Sequence, residues 1–268
     1  MESVQYRPGR TDGSRHPALL FILLIIGWLS PLQAADKLTL VTGNDYPPFS
    51  DSRLHQGGVL TALVRQVLAQ DQWAHSIDFK PWTRGYEETL RLQYGATFPY
   101  IKTPERAELF EFSDPLYQLG LRLYVHPDSG WSRGTEEELE EALFCLPVGY
   151  EVSGWVADAM QRLAFVRPRT MQQCHEMLLR GRVDVLISNR AEVAYQLRSA
   201  KRQLPQPREL PEPLADVTLH LIIPSHHPQA RELIDRFNRN LRALEQDEGR
   251  SRLFSQHPDY SAAAAHAD

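Results

Sequence analysis

Most of the residue patterns that announce an enzyme are missing from this 268-residue chain. It has no Gly-x-Gly-x-x-Gly, phosphate-binding loop, Gly-x-Ser-x-Gly, His-Glu-x-x-His or Cys-x-x-Cys pattern. The ten histidines are scattered. The adjacent pair His226–His227 falls where a strand gives way to a helix, a surface position more than a metal site. With no nucleophile or metal constellation, no catalytic residue and no cofactor is assigned. Lysine is scarce too: of 29 basic residues only Lys37, Lys80, Lys102 and Lys201 are lysine, which reads as genome composition. There is no positive surplus. The formal charge of -5 argues against nucleic acid or an acidic lipid surface as partner. After Ala35 no long apolar run occurs, which excludes a multi-span membrane protein. What remains is an average globular composition, 42% hydrophobic and 24% charged. The length allows one large domain or two small ones.

The long apolar run that does occur is Ala18–Leu29, ALLFILLIIGWL. It is shorter than the roughly 20 residues a membrane span needs. Arg7, Arg10, Arg15 and His16 precede it, and Ala34 and Ala35 follow. This is the pattern of a secretory signal peptide over residues 1–34, cleaved after Ala34 or, as second choice, Ala35. The chain has no adjacent Arg-Arg pair and no Cys near that site, which disfavours twin-arginine export and a lipid anchor. A buried helix or an uncleaved anchor is the alternative. The expected product is soluble and periplasmic. In that compartment the two cysteines, Cys145 and Cys174, favour one disulfide over two separate buried thiols.

From Lys37 onward strands and helices alternate. Lys37–Thr42 alternates as a half-buried strand. Val59, Leu60, Leu63, Val64, Val67 and Leu68 recur at helical spacing. Ile77–Lys80 and Ala96–Phe98 read as strands and Tyr86–Leu92 as helix. Leu119–His126 alternates again. Thr135 and Glu138 predict a capping box that opens an acidic helix, EEELEEA. Leu143–Val148 reads as a strand, Ser153–Leu163 and Met171–Leu179 as helices. Arg182–Ser188 is a buried strand before a helix at Ala191–Leu197. A proline-rich stretch, QLPQPRELPEP, precedes the strand Val217–Ile223. Ile234, Phe237, Leu241 and Leu244 mark a last long helix, and the tail SAAAAHAD reads as frayed. This order predicts an α/β architecture with largely parallel sheets and ligands at the carboxyl ends of strands.

The stretch Gly95–Tyr117, GATFPYIKTPERAELFEFSDPLY, carries a more specific signal. Thr103, Pro104, Glu105 and Arg106 precede Phe112, Ser113, Asp114, Pro115, Leu116 and Tyr117. The arrangement resembles the Thr-x-x-Arg and Phe-Ser-x-Pro-Tyr elements of the periplasmic solute-binding proteins of ABC transporters, polar-amino-acid family (family 3). DYPPF at Asp45–Phe49 is similar to that family's first ligand loop, and GRVDVLISN at Gly181–Asn189 to a strand of its second lobe. The closing segments FNRNLRAL and DEGRSRLF extend the likeness over essentially the whole mature chain.

The resemblance implies a two-lobed periplasmic binding protein type II fold with two hinge strands. Lobe one would comprise 36–121 and 220–268, lobe two 122–213, with 214–219 in the hinge. The hinge strands would lie near Leu119–Tyr124 and Ala215–Leu221. The lobes close on ligand like a clam shell. By the same resemblance Arg106 grips a ligand carboxylate, which a guanidinium fork can hold with two parallel hydrogen bonds. On spacing alone Arg106 would instead pair with Glu105 or Glu108 on a helix surface. Tyr46 and Trp82 match positions that sandwich the ligand, and Arg84 is a second anion contact or a packing residue. Phe98 and Tyr100 face the ligand or fill the core. Gly149 and Tyr150 fall on the second lobe's ligand loop.

Asn189 departs from the family pattern, where an Asp pairs with the ligand's ammonium. A neutral amide cannot balance a buried cation, so Glu151 or Asp45 would have to supply the charge. The expectation is therefore a monomeric, exported protein that delivers a small carboxylate-bearing, amino-acid-like solute to an ABC permease in the inner membrane. An exported enzyme on the same fold, resembling cyclohexadienyl dehydratase, and a sensory ligand-binding module are the alternatives.

Overall fold

The computed structural model describes residues 1–5, 9, 37–200 and 205–264. Residues 1–36 form a unit of their own, separate from Lys37–Asp268. The apolar run Ala18–Leu29 and the expected cleavage site lie outside the described residues.

The alternation after Lys37 gives β1 (Leu38–Gly43). The helical spacing that follows gives α1 (Val59–Ala69), whose six spaced apolar residues are all buried. The chain continues through β2 (His75–Lys80), α2 (Trp82–Leu90) and β3 (Ala96–Ile101). Strands β2, β1 and β3 run parallel. Next come α3 (Pro104–Leu109) and β4 (Phe110–Phe112). These elements pack with α7 (Ala230–Gln246) and α8 (Gly249–Gln256) as the first lobe, and α9 (Pro258–Ala264) contacts both α8 and the helix at Arg190–Ser199.

Two long strands connect the halves. In β5 (Tyr117–Val125), residues Tyr117–Leu121 pair antiparallel with β10, and Arg122–Val125 pair antiparallel with β8. One strand therefore passes from one sheet to the next between Leu121 and Arg122. Its return partner β10 (Ala215–Pro224) pairs with β5, then with β3 and β4. The second lobe contains β6 (Leu143–Cys145), α4 (Trp155–Asp158), β7 (Ala164–Val166) and α5 (Met171–Leu179). It continues with β8 (Val185–Ser188), α6 (Arg190–Ser199) and the short β9 (Arg208–Glu209) on β5. The strand order is β2-β1-β3-β10-β5-β8-β6-β7. This is the expected α/β architecture, with parallel sheets in each lobe and antiparallel hinge strands between them.

Several elements differ from the sequence expectation. EEELEEA does not form a helix; residues 136–141 are turns. The Glu138 amide does donate to Thr135 Oγ1, at 3.4 Å. The Glu138 carboxylate, however, folds back to accept the N–H groups of Ser132, Arg133 and Gly134. Those bonds, led by the one from Gly134, hold its pKa down at about 2. The expected helix Ser153–Leu163 shrinks to α4. Part of the tail is ordered: α9 runs to Ala264, and the Tyr260 hydroxyl lies 2.9 Å from the Tyr117 hydroxyl. The acidic segment is turned by a local partner, whereas the tail is held by a distant one.

Cys145 on β6 and Cys174 on α5 form the disulfide, with Cα atoms 5.6 Å apart and both residues fully buried. It ties a strand to a helix within the second lobe.

Candidate functional site

A cavity of about 60 Å³ lies between the lobes, walled by residues of both. Tyr46, Trp82, Tyr100 and Arg106 come from the first lobe, Gly149, Tyr150, Glu151, Ser188, Asn189 and Glu192 from the second. Leu119, Leu121 and Leu219 of the hinge strands also line it.

Local structure fixes Arg106. Thr103 caps α3 by accepting the Arg106 N–H on Oγ1, at 3.3 Å, and Pro104 fits the first turn. The guanidinium then folds back, and Nη1 donates to the Ile101 carbonyl at 2.9 Å. It lies over the Tyr100 ring at 4.9 Å and the Tyr86 ring at 5.8 Å. Its free edge points across the cleft, where Nη2 is 3.6 Å from Glu151 Oε1. Arg106 is thus buried and pairs with neither Glu105 nor Glu108. A carboxylate from the opposite lobe faces it.

The aromatic candidates gather into one cluster. Tyr46, Trp82 and Tyr150 pack edge to face, with centroids 5.4–6.2 Å apart. Trp82 fits because two positions lack a side chain. A Cβ on Gly43 would lie 2.1 Å from its indole ring, and one on Gly149 2.8 Å from its Cβ. Gly149 also has φ +86°, a conformation that favours glycine. The Tyr150 hydroxyl donates to the Asp45 carbonyl at 2.8 Å, a second bond across the cleft. Tyr100 reaches the same cluster, 5.8 Å from Trp82.

Two candidates lie elsewhere. Phe98 is fully buried in the first lobe's core and does not line the cavity. Arg84 is largely exposed and pairs with Glu88 one helical turn on, at 2.8 Å. That is the geometry of a solvated helix face.

Asn189 lines the cavity, but its side chain is engaged in capping α6. Oδ1 accepts the Glu192 N–H at 3.0 Å. Asp45 is not an available charge either, because its carboxylate pairs with Arg53 at 2.8 Å. The acid that the sequence reading missed is Glu192, with 1% of its surface exposed. Its Oε2 accepts from Ser188 Oγ at 3.0 Å and Asn189 Nδ2 at 3.4 Å, while Oε1 is buried without a partner. Burial pushes its pKa up to about 8, against the pull of the Ser188 bond. Burial, and then the charge of Glu192, raises the Tyr46 and Tyr150 hydroxyls well above their usual range. The signal was present as Asn189-x-x-Glu192, a cap pattern at the end of a buried strand. A capping box would send that carboxylate back to the cap's N–H; here it turns to the side chains of Ser188 and Asn189.

No protein-family model matches the sequence, and no curated protein matches it. Solved structures do. An amino acid ABC transporter substrate-binding protein from Streptococcus pneumoniae, bound to L-arginine, is similar with TM-score 0.69 and 15% identity, over 87% of this chain and 96% of that one. The GluR0 ligand-binding core from Nostoc punctiforme, in complex with L-glutamate, gives TM-score 0.69 and 16% identity over 83% and 99%. An ancestral amino-acid-binding protein, a precursor of cyclohexadienyl dehydratase, gives 0.68 and 18% over 82% and 95%. Among the described residues no helix is long and apolar enough to cross a membrane. The structural neighbours include amino acid ABC transporter substrate-binding proteins, of the kind the Thr103–Tyr117 motif resembles, and a histidine kinase sensor domain, and the chain has their fold, the two-lobed periplasmic binding protein fold with two hinge strands.

Proposed function

We propose that this chain is an exported solute-binding protein that captures a small amino-acid-like ligand and hands it to an ABC permease. One observation carries the reading. Arg106 and Glu192, a fixed cation and a buried acid, share one inter-lobe cavity with the Tyr46–Trp82–Tyr150 rings. A ligand carboxylate would take the free edge of Arg106, displacing Glu151. A ligand cation would supply the partner that Glu192 Oε1 lacks, and burial beside a cation would return that carboxyl to its ionised form. Closing both lobes over these groups excludes water and strengthens each contact. The signal-peptide pattern and the disulfide support export.

The test is a thermal-shift screen of amino acids and organic acids against the mature protein. A ligand at 100 times its Kd raises stability by about 2.7 kcal/mol. The reading expects hits among zwitterions and loss of those hits in Arg106→Ala. Hits confined to solutes without a carboxylate would refute it.

Glu192 favours a second reading. A carboxyl with its pKa pushed up to about 8 is protonated at neutral pH, as a general acid must be. On that reading the cleft would turn over its ligand, as in a cyclohexadienyl-dehydratase-like enzyme. Turnover of prephenate or arogenate, abolished in Glu192→Gln, would favour it over simple capture.

A further inference from the structure

Besides the hinge strands β5 and β10, the end of the chain also joins the two lobes. Helix α9 has only seven residues. An isolated helix shorter than about 12–15 residues is marginal in water, so packing has to order it. It packs on two neighbours, α8 of the first lobe and α6 of the second.

Side chains moor α9 to the first lobe. Asp259 Oδ2 accepts the His55 N–H at 3.0 Å. The Tyr260 hydroxyl lies 2.9 Å from that of Tyr117, at the start of β5. The Tyr260 ring packs against Phe254 at 4.9 Å, Tyr117 at 6.0 Å and Phe49 at 6.3 Å. The second lobe meets α9 through α6. There the exposed Arg198 donates from Nη2 to the Asp259 carbonyl at 3.3 Å. Asp259 therefore holds a backbone group of the first lobe with its side chain and a guanidinium of the second with its main chain.

The helix that α9 grips is the one that carries Glu192 to the cavity. Glu192 stands in the first turn of α6 and Arg198 in its last, ten residues in all. A helix of that length moves as one body, so a hold on its C-terminal end restrains its N-terminal turn as well. Swinging the second lobe away from Arg106 takes α6 along, while α9 stays moored to the first lobe. We propose that α9 is a strap that biases the lobes toward closure before any solute arrives, and that its grip on α6 keeps Glu192 at the cavity. The proposal goes beyond the capture reading and does not depend on which solute is captured. A cleft already largely closed removes part of the cost of closing it, and so raises the apparent affinity for whatever the closed form accepts.

The experiment is small-angle scattering and hydrogen exchange on the mature, solute-free protein. It compares the parent with Arg198→Glu, Tyr260→Ala and the double variant, all of the same chain length. Arg198→Glu sets a carboxylate against the Asp259 carbonyl at an exposed position, so the fold survives the change. Tyr260→Ala removes the ring that moors α9 to the first lobe. The radius of gyration should rise in each, most in the double variant. Amides throughout α6 should exchange about tenfold faster in the double variant. An unchanged radius with faster exchange confined to residues 195–199 would make α9 a local cover and overturn the strap. No change in either measurement would overturn it too. If the variants lacking Tyr260 fail to fold, Arg198→Glu decides alone, and an unchanged radius there overturns the proposal.

Discussion

The two walls of the cleft hold their charges by different means. On the first-lobe wall, Arg106 is positioned within six residues of sequence: Thr103 caps its helix and the Ile101 carbonyl holds one arm. On the second-lobe wall, Glu192 owes its character to burial under both lobes, which leaves one oxygen unpartnered and lifts its pKa. A charge set by local geometry shows in a motif. A charge set by desolvation shows less, because burial also depends on residues elsewhere in the chain.

The sharpest way to break this contrast is Arg106→Ala. Leaving a ligand carboxylate desolvated and unpaired should weaken binding by about 2–5 kcal/mol, measured by calorimetry. The melting temperature should change little by comparison. Arg106→Lys should restore only part, since an ammonium lacks the two-pronged geometry. Unchanged affinity in the alanine variant would remove the first wall's charge from the site.

The second wall leans on a covalent tie that the first lacks. Replacing Cys145 and Cys174 together by Ala should cost about 3–4 kcal/mol by loop entropy. Denaturant unfolding would measure this as a lower midpoint. An unchanged midpoint would mean that the disulfide adds no stability.

Glu192 gives a pH signature that Arg106 cannot. Its folded pKa of about 8 lies above the ordinary 4.5. Between those values the folded protein holds a proton that the unfolded chain has released. Stability should therefore fall as pH rises through this window, by about 1.4 kcal/mol per unit at the steepest, and level off above it. Glu192→Gln should flatten that slope. Melting curves from pH 5 to 8.5 on both proteins would show it, and equal slopes would mean that the acid is not desolvated.

The smallest effect is expected from Tyr150→Phe. It removes the hydroxyl's bond to the Asp45 carbonyl and keeps the ring. The loss should be about 0.5–1.5 kcal/mol. Because the bond spans the cleft, small-angle scattering should show a larger radius of gyration without ligand. An unchanged radius would mean that this bond does not hold the lobes together.

Much of the fold was legible in residue order. The periodicity of Val59–Leu68 marks α1, and the alternation of Leu119–His126 marks the strand that becomes hinge β5. The site was legible where a motif or an aromatic cluster stood beside it: Tyr46, Trp82, Tyr100, Arg106, Gly149, Tyr150 and Asn189 all line the cavity. Phe98 and Arg84 do not: one is sealed in the first lobe's core and a neighbouring Glu88 draws the other outward. Asn189 drew attention for the charge it lacks, while the acid lay three residues on.

The sequence by itself determined most of the order of strands and helices, the Thr103–Arg106 segment that caps its own turn, and a pair of cysteines able to join. Each depends on neighbours within a few residues or on a count. Only the tertiary structure decided which lobe faces Arg106 with a carboxylate, which acid is stripped of water, and that three rings from separate segments meet edge to face. Those are properties of surfaces brought together by β5 and β10, and desolvation and ring packing exist only once the surfaces have met.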